Sequence, residues 1–221
     1  MNLSHKRGAI REKDLGREIY FSDQYFSKAQ LFSFAHQIHE IAKFKPSTMI
    51  EIGIGNGFVS SFFRRSGVDV TTVDINPALE PDICAPLDEL DGHIGDRQFD
   101  LVVCCEVLEH MPYADFEKNI KILRGLSENA FITVPCYRPW FGIAGHLSIP
   151  KLRRPLRLGF RFPRFGPFRK QDMQMHFWEV GCGAQTGIKR IIDSLETEFS
   201  TVTSGFFEMN PYHQYFSCRG K

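Results

Sequence analysis

The ten residues Thr48-Met-Ile-Glu-Ile-Gly-Ile-Gly-Asn-Gly57 limit the folds open to this chain more than any other stretch. Met49 to Ile52 read as a buried strand, and glycines at 53, 55 and 57 turn the chain out of it. A helix begins near Phe58 and stops at Arg64-Arg65-Ser66-Gly67, where two cations meet the negative end of the helix dipole and a glycine lies just past it. Strand, glycine bend and helix form the opening of a βαβ unit. Glycine lets the backbone pass close to a ligand where any Cβ would collide. The same spelling also serves as a bare tight turn.

The spacing separates ligand classes. A dinucleotide fingerprint needs G-x-G-x-x-G, whereas these glycines fall as G-x-G-x-G with Phe at position 58. No Gly-Lys-Ser/Thr follows, which excludes a P-loop. Glu51 sits at the end of the strand, where a carboxylate repels a diphosphate but suits a ligand carrying an ammonium and a sulfonium. The pattern E-x-G-x-G-x-G resembles motif I of the class I S-adenosylmethionine (SAM) methyltransferases.

Further motifs follow in order. Val68-Asp-Val-Thr-Thr-Val-Asp74 reads as a β-branched strand ending in an acid. Asp74 falls 21 positions after Gly53, where a carboxylate meets two ribose hydroxyls, although a strand-end Asp also serves as a helix cap. Pro81 to Leu87 read as a short third strand or turn, and Asp88 to Arg97 as a polar loop. Phe99 to Cys105 fit a central strand buried on both faces, and Asp115 to Gly125 a helix ended by its glycine. Ala130 to Pro135 form the fifth strand. Phe99-Asp100, then Glu106-Val-Leu-Glu-His110, then a strand ending in Pro135 closely resemble the small-molecule branch of the same family. With motif I and Asp74, the resemblance covers residues 48 to 136.

It implies a doubly wound α/β fold: a mostly parallel seven-stranded sheet with an antiparallel C-terminal hairpin. It also implies SAM as cofactor, held by Glu51, Gly53, Gly55, Gly57, Asp74, Ile75 and Glu106. In the family an acid and an apolar residue on the third strand meet the adenine, and Asp82 and Ile83 match that pattern. The pocket is expected at the carboxyl ends of the strands.

Around this core, Tyr20 to Ala42 carry a helical period with an apolar stripe of Phe26, Ala29, Phe32, Phe34, Ile38 and Ile41. Tyr20, Phe21, Tyr25 and Phe26 offer a lid over the cofactor, or simply pack on the sheet. Residues 1 to about 17 are charged and expected to be loosely ordered. Thr186 to Glu198 read as a helix, and Ser200 to Phe207 and His213 to Cys218 as strands joined through Asn210-Pro211. The organisation expected is an N-terminal helical lid or cap (1–45), a Rossmann-like core (46–136), a basic aromatic substrate cover (137–175), and a helix and hairpin completing the sheet (176–221).

The 137–175 stretch sets Arg138, Lys151, Arg153, Arg154, Arg157, Arg161, Arg164, Arg169 and Lys170 against one acid, Asp172, with aromatics interleaved and prolines that prevent a long helix. Such a surface suits an anionic small or carrier-linked acceptor, RNA, or peripheral contact with an anionic membrane through 137–170; a solvated loop packing its aromatics on the core fits too. His176-Phe-Trp-Glu-Val-Gly181 and Asn210-Pro-Tyr-His-Gln-Tyr-Phe216 resemble closing phrases of sugar- and polysaccharide-locus methyltransferases.

Methyl transfer from a sulfonium is a direct displacement, so alignment in a dry pocket is the main requirement. A base is needed for a poorly acidic hydroxyl or a protonated amine, and His110 holds the fitting position, though a structural histidine fits there as well. Glu106, Glu109 and His110 spell E-x-x-E-H. This resembles the divalent-ion segment of ubiquinone-pathway O-methyltransferases and small-RNA 2′-hydroxyl methyltransferases; in the RNA enzymes a further histidine comes from a His-x-Phe-Glu-Trp phrase, which His176-Phe-Trp-Glu179 resembles with the aromatic and acid order changed. A metal-assisted RNA enzyme is thus an alternative, against which stand the net charge of +1 and the lack of a recognisable RNA-binding module. Many metal-free relatives share the phrase, so the metal is not favoured. A SAM-fold binding module without catalysis is the alternative of another class. Six cysteines without CxxC pairing, no apolar leader and no bilayer-length apolar run point to a cytoplasmic setting. The oligomeric state is not legible.

Overall fold

The computed structural model describes residues 12–23, 25–137, 140–149, 156–163 and 176–220. The expectation for residues 1–11, and those for Arg138, Lys151, Arg153, Arg154, Arg164, Arg169 and Lys170, lie outside them.

Seven strands form one sheet: β1 (Thr48–Ile52), β2 (Asp69–Asp74), β3 (Ile83–Cys84), β4 (Leu101–Cys105), β5 (Ala130–Pro135), β8 (Thr201–Phe207) and β9 (Asn210–Arg219). Their order is β3-β2-β1-β4-β5-β9-β8. β1 to β5 run parallel, while β9 is antiparallel to β5 and to β8. The order reverses between β1 and β4, the switch point at which an open α/β sheet leaves a crevice. At the opposite, amino-terminal ends of β1 and β4, Asp100 ties the two strands together, its Oδ2 accepting from the backbone N–H of Ser47 (2.7 Å) and Thr48 (2.9 Å). The remaining strands among the described residues, β6 (Trp140–Leu147) and β7 (Leu156–Pro163), form a separate antiparallel pair.

The pleat sorts each strand between two cores. Met49, Val70, Leu101, Val103 and Phe131 pack with Phe34 and Ile41 of α1 (Lys28–Ala42) and with Val59 and Phe63 of α2 (Phe58–Arg65). Ile50, Ile52, Val102, Cys104 and Ile132 face the other way. They meet Ile120 and Leu123 of α4 (Phe116–Leu126) and Ile191 and Leu195 of α5 (Ile188–Glu198). Met49, Ile50, Leu101 and Val102 are fully buried, each contributing about 1.5–3 kcal/mol relative to exposure.

Several local expectations are corrected. Residues 91–94 form a short helix, α3 (Asp91–Ile94), because Leu90 and Ile94 bury themselves within an otherwise polar stretch. Gly125 lies inside α4, which runs on to bury Leu126. The Tyr20–Ala42 stretch is two elements, a 3-10 turn over Arg17–Phe21 and then α1. Ser27 starts α1 by accepting from the backbone N–H of Gln30. Phe26 and Phe32 are exposed, so the stripe narrows to Phe34, Ile38 and Ile41. Residues 12–17 are tied in, with the Leu15 carbonyl accepting from Asn76 Nδ2 at 2.8 Å. Asn210 and Pro211 belong to β9 itself, where the Asn210 amide donates to Ser33 Oγ at 2.9 Å.

Candidate active site

The carboxyl ends of β1, β2 and β4 open into a cavity of about 790 Å³. Its lining joins Glu51, Gly53, Gly55, Asp74, Ile75, Glu106, Glu109, His110 and His176.

At one end the backbone itself makes the cradle. Gly53, Gly55 and Gly57 all take positive φ (81°, 53° and 71°). A Cβ on Gly53 would stand 2.3 Å from Val107 Cγ2, so the approach of the β1 and β4 loops requires glycine there. Gly57 lies behind the lining, as the left-handed residue that starts α2. Asp74 binds the bend to the next loop, its Oδ2 accepting from Ile54 N–H (3.0 Å) and its Oδ1 from Asn76 N–H (2.9 Å). Burial raises its pKa, against the pull of those backbone bonds. Glu51 is buried beside α2, and its Oε2 has no hydrogen-bond partner. Loss of solvent pushes it up to about 8, opposed by Ser60 and Arg64. A buried, orphaned acceptor costs stability until a donor arrives, which fits an ammonium-bearing ligand.

Asp82 and Ile83 depart from the expectation. Ile83 pairs with Val73 and Cys84 with Asp74, which sets Asp82 beside Thr72, below the strand ends. The Asp82 carboxylate is occupied by Thr72 N–H (2.7 Å), Thr72 Oγ1 (2.8 Å) and the Arg64 guanidinium, and Ile83 packs on the core. Ala85, Pro86 and Leu87 line the cavity in their place.

The other end is assembled from distant segments. Glu106, just past β4, has φ 56°, a left-handed backbone that costs a non-glycine residue about 1–3 kcal/mol. Beyond it, Leu108–His110 form a 3-10 turn, clamped by Trp178 Nε1, which donates to the carbonyls of Leu108 and Met111 at 3.1 Å each. Phe177 N–H donates to the Glu109 carbonyl at 2.8 Å. This clamp brings His176 against His110, ring centroids 5.1 Å apart. Glu179 Oε1 lies 3.0 Å from His176 Nδ1 and accepts from Tyr212 Oη at 2.9 Å. Glu106 Oε2 lies 3.6 Å from His213 Nε2, and Glu12 Oε1 lies 3.6 Å from His110 Nδ1. Neither carboxylate oxygen of Glu109 has a hydrogen-bond partner. Burial, and then the neighbouring carboxylates, raise Glu106 to about 8 and Glu109 well above the usual range.

Of the proposed metal set, Glu109, His110 and His176 bring ligand atoms within 4.8 Å of one another, while Glu106 turns to His213. Of the proposed lid, Tyr20 and Tyr25 line the cavity, rings 5.4 Å apart, and Phe21 and Phe26 pair outside it. Sequence reasoning missed Glu12, Tyr212 and His213 as site residues. The phrase Asn210 to Phe216 held the only signal for the last two.

A doubly wound sheet in this strand order, with an acid-and-glycine bend held by a second-strand aspartate at one cavity, is the class I SAM-dependent methyltransferase fold. A family model described as "Methyltransferase domain" matches residues 25–199, and the chain belongs to that family. Solved structures agree on the fold. The N-methyltransferase NodS from Bradyrhizobium japonicum, in complex with S-adenosyl-L-homocysteine, superposes with a TM-score of 0.61 at 11% identity, covering 99% of each chain. The 1,6-didemethyltoxoflavin-N1-methyltransferase of Burkholderia thailandensis gives 0.57 at 15% identity, over 100% of this chain and 92% of that one. In sequence, the mitochondrial ubiquinone biosynthesis O-methyltransferase of Schizosaccharomyces pombe is 33% identical over 31% of this chain and 30% of that protein. The match thus spans under a third of that relative. Among the described residues no helix is long and apolar enough to cross a membrane.

Proposed function

We propose that this methyltransferase moves the methyl group of SAM to an oxygen or nitrogen of a small or carrier-linked acceptor. The observation that carries it is the continuity of one cavity, from the orphaned Glu51 and the Asp74-braced glycine bend to the His110 cluster. In this reading Glu51 and the bend receive the amino-acid end of SAM, Asp74 the ribose hydroxyls, and Ile75, Ala85 and Leu87 the adenine face. Glu106, at the near edge of the acceptor end, borders the cofactor. SAM supplies an electrophilic methyl on a cationic sulfur. The chain then has to hold the acceptor lone pair in line and exclude water, which Tyr20 and Tyr25 favour from above. His110 takes the acceptor proton at a ring nitrogen, and Glu12, 3.6 Å from its Nδ1, stabilises the resulting imidazolium. The oxygen acceptor of the Schizosaccharomyces pombe relative lends support to an oxygen here.

A second reading rests on the Glu109–His110–His176 cluster. The Nδ1 contact of His176 to Glu179 leaves Nε2 for an ion, the arrangement in which a carboxylate orients a histidine ligand. A divalent cation held by these three would lower the pKa of an acceptor hydroxyl. Turnover that dies on chelation and returns with Mn²⁺ supports it; turnover unchanged in His176→Ala removes it.

The test of the main reading is a labelled-methyl screen against extract divided into lipid, polysaccharide, RNA and small-molecule pools. Label in a lipid, polysaccharide or small-molecule pool, lost in Asp74→Ala, is expected. Label confined to RNA would turn the assignment to the RNA alternative, and no label in any pool would favour a binding module.

A further inference from the structure

The β6–β7 hairpin does not join the main sheet. Its register is regular: Ile143 faces Phe160 and Leu147 faces Leu156. Positions four apart on a strand share a face, so these four residues stand together on one side. All four are open to solvent, Ile143 at 70%, Phe160 at 58%, Leu147 at 49% and Leu156 at 46%. The next apolar residue beyond β6, Ile149, is exposed too. Arg157 and Arg161 occupy the alternate register positions, opposite His146 and Gly142. A lone two-stranded pair is marginal in water, and a contiguous apolar face on it marks an interaction surface.

The charge pattern indicates what covers that face. Between positions 138 and 170 the sequence has nine Lys and Arg and no Asp or Glu. Of the 27 Lys and Arg, 18 then remain for the rest of the chain, against 26 Asp and Glu, a formal charge of −8. Three of the nine, Lys151, Arg153 and Arg154, lie in the segment that connects β6 to β7. Exposed apolar residues interleaved in sequence with cations, on a chain whose remainder is of opposite formal charge, suit a surface that is anionic outside and apolar beneath. A second copy of this chain would bring the same +9 against +9, and an RNA would leave the exposed aliphatic side chains of Ile143, Leu147 and Leu156 without a partner.

We propose that this hairpin docks the enzyme on an anionic lipid bilayer, with Ile143, Leu147, Leu156 and Phe160 entering the headgroup boundary. The docking is independent of methyl transfer, so its test is too. The full chain is sedimented with vesicles of phosphatidylcholine alone and with vesicles containing phosphatidylglycerol, at low and high salt. Partitioning about tenfold or more stronger on the anionic vesicles, weakened by salt, is the expected result. The paired change Ile143→Asp with Phe160→Asp abolishes partitioning at either salt, while SAM binding and circular dichroism stay unchanged. The triple change of Lys151, Arg153 and Arg154 to Glu removes the preference for anionic vesicles. Absence of binding, or equal binding to both vesicle types, overturns the proposal. Light scattering is the further control: a dimer that Ile143→Asp with Phe160→Asp makes monomeric, with no vesicle binding by the parent chain, assigns the face to a second copy instead.

Discussion

The two ends of the cavity are built differently. The cofactor end comes from contiguous chain, one strand, one bend and the tip of the neighbouring strand. There the Asp74 carboxylate accepts from the backbone N–H groups of Ile54 and Asn76, and Glu51 Oε2 is left without a partner. The acceptor end gathers Glu12, Glu106, Glu109, His110, His176, Glu179, Tyr212 and His213 from four separate regions, and leaves carboxylate oxygens of Glu106, Glu109 and Glu179 buried without hydrogen bonds. A braced cradle suits a ligand common to a whole family. A cluster of unsatisfied acids and imidazoles, held by tertiary contacts, suits chemistry particular to one acceptor.

Removing the proposed base separates the two ends most sharply. His110→Ala lowers kcat about 10²–10⁴-fold while SAM affinity stays within about twofold, read by steady-state kinetics and calorimetry. Equal losses in both would merge the two ends into one. Glu51→Gln acts the other way round: SAM binds about ten- to a hundredfold weaker, as a charged contact is lost.

The same residue gives a pH signature. Burial holds folded Glu51 at about 8 against an ordinary 4.5, so its contribution to stability is complete below about 4.5 and is lost as pH rises toward 8. The melting temperature of the ligand-free chain should fall over that window, and fall less in Glu51→Gln. A profile unchanged by the substitution would remove Glu51 as its source.

Gly53→Ala probes the cradle's shape. The positive φ and the Val107 overlap cost about 1–3 kcal/mol, read as a drop of several degrees in melting temperature together with weaker SAM binding. The smallest effect is expected at Asp82. Asp82→Asn costs about 1 kcal/mol of stability through Thr72 and Arg64 and leaves SAM affinity unchanged. A loss of SAM affinity there would restore the adenine contact that the strand register argues against.

The same contrast explains what could be read from sequence. Short-range chemistry was legible: Met49 to Gly57 form the expected strand and bend, and Asp74 stands at the cavity. Asp82 misled because its distance from the strand end depends on where β3 pairs with β2, a register that a two-residue strand does not announce. Glu12, Tyr212 and His213 were hidden because only tertiary folding brings them to Glu106 and His110. The β6–β7 pair was hidden as well, since five prolines and scattered arginines mask its alternation.

Central to the account is a SAM molecule spanning the bend and Asp74. Calorimetric titration of SAM into the parent chain and into Asp74→Ala tests it directly. The expected outcome is a dissociation constant on the order of micromolar for the parent and binding at least about a hundredfold weaker for a still-folded variant. A parent chain that takes up no SAM, or a variant that binds it equally well, would contradict the account.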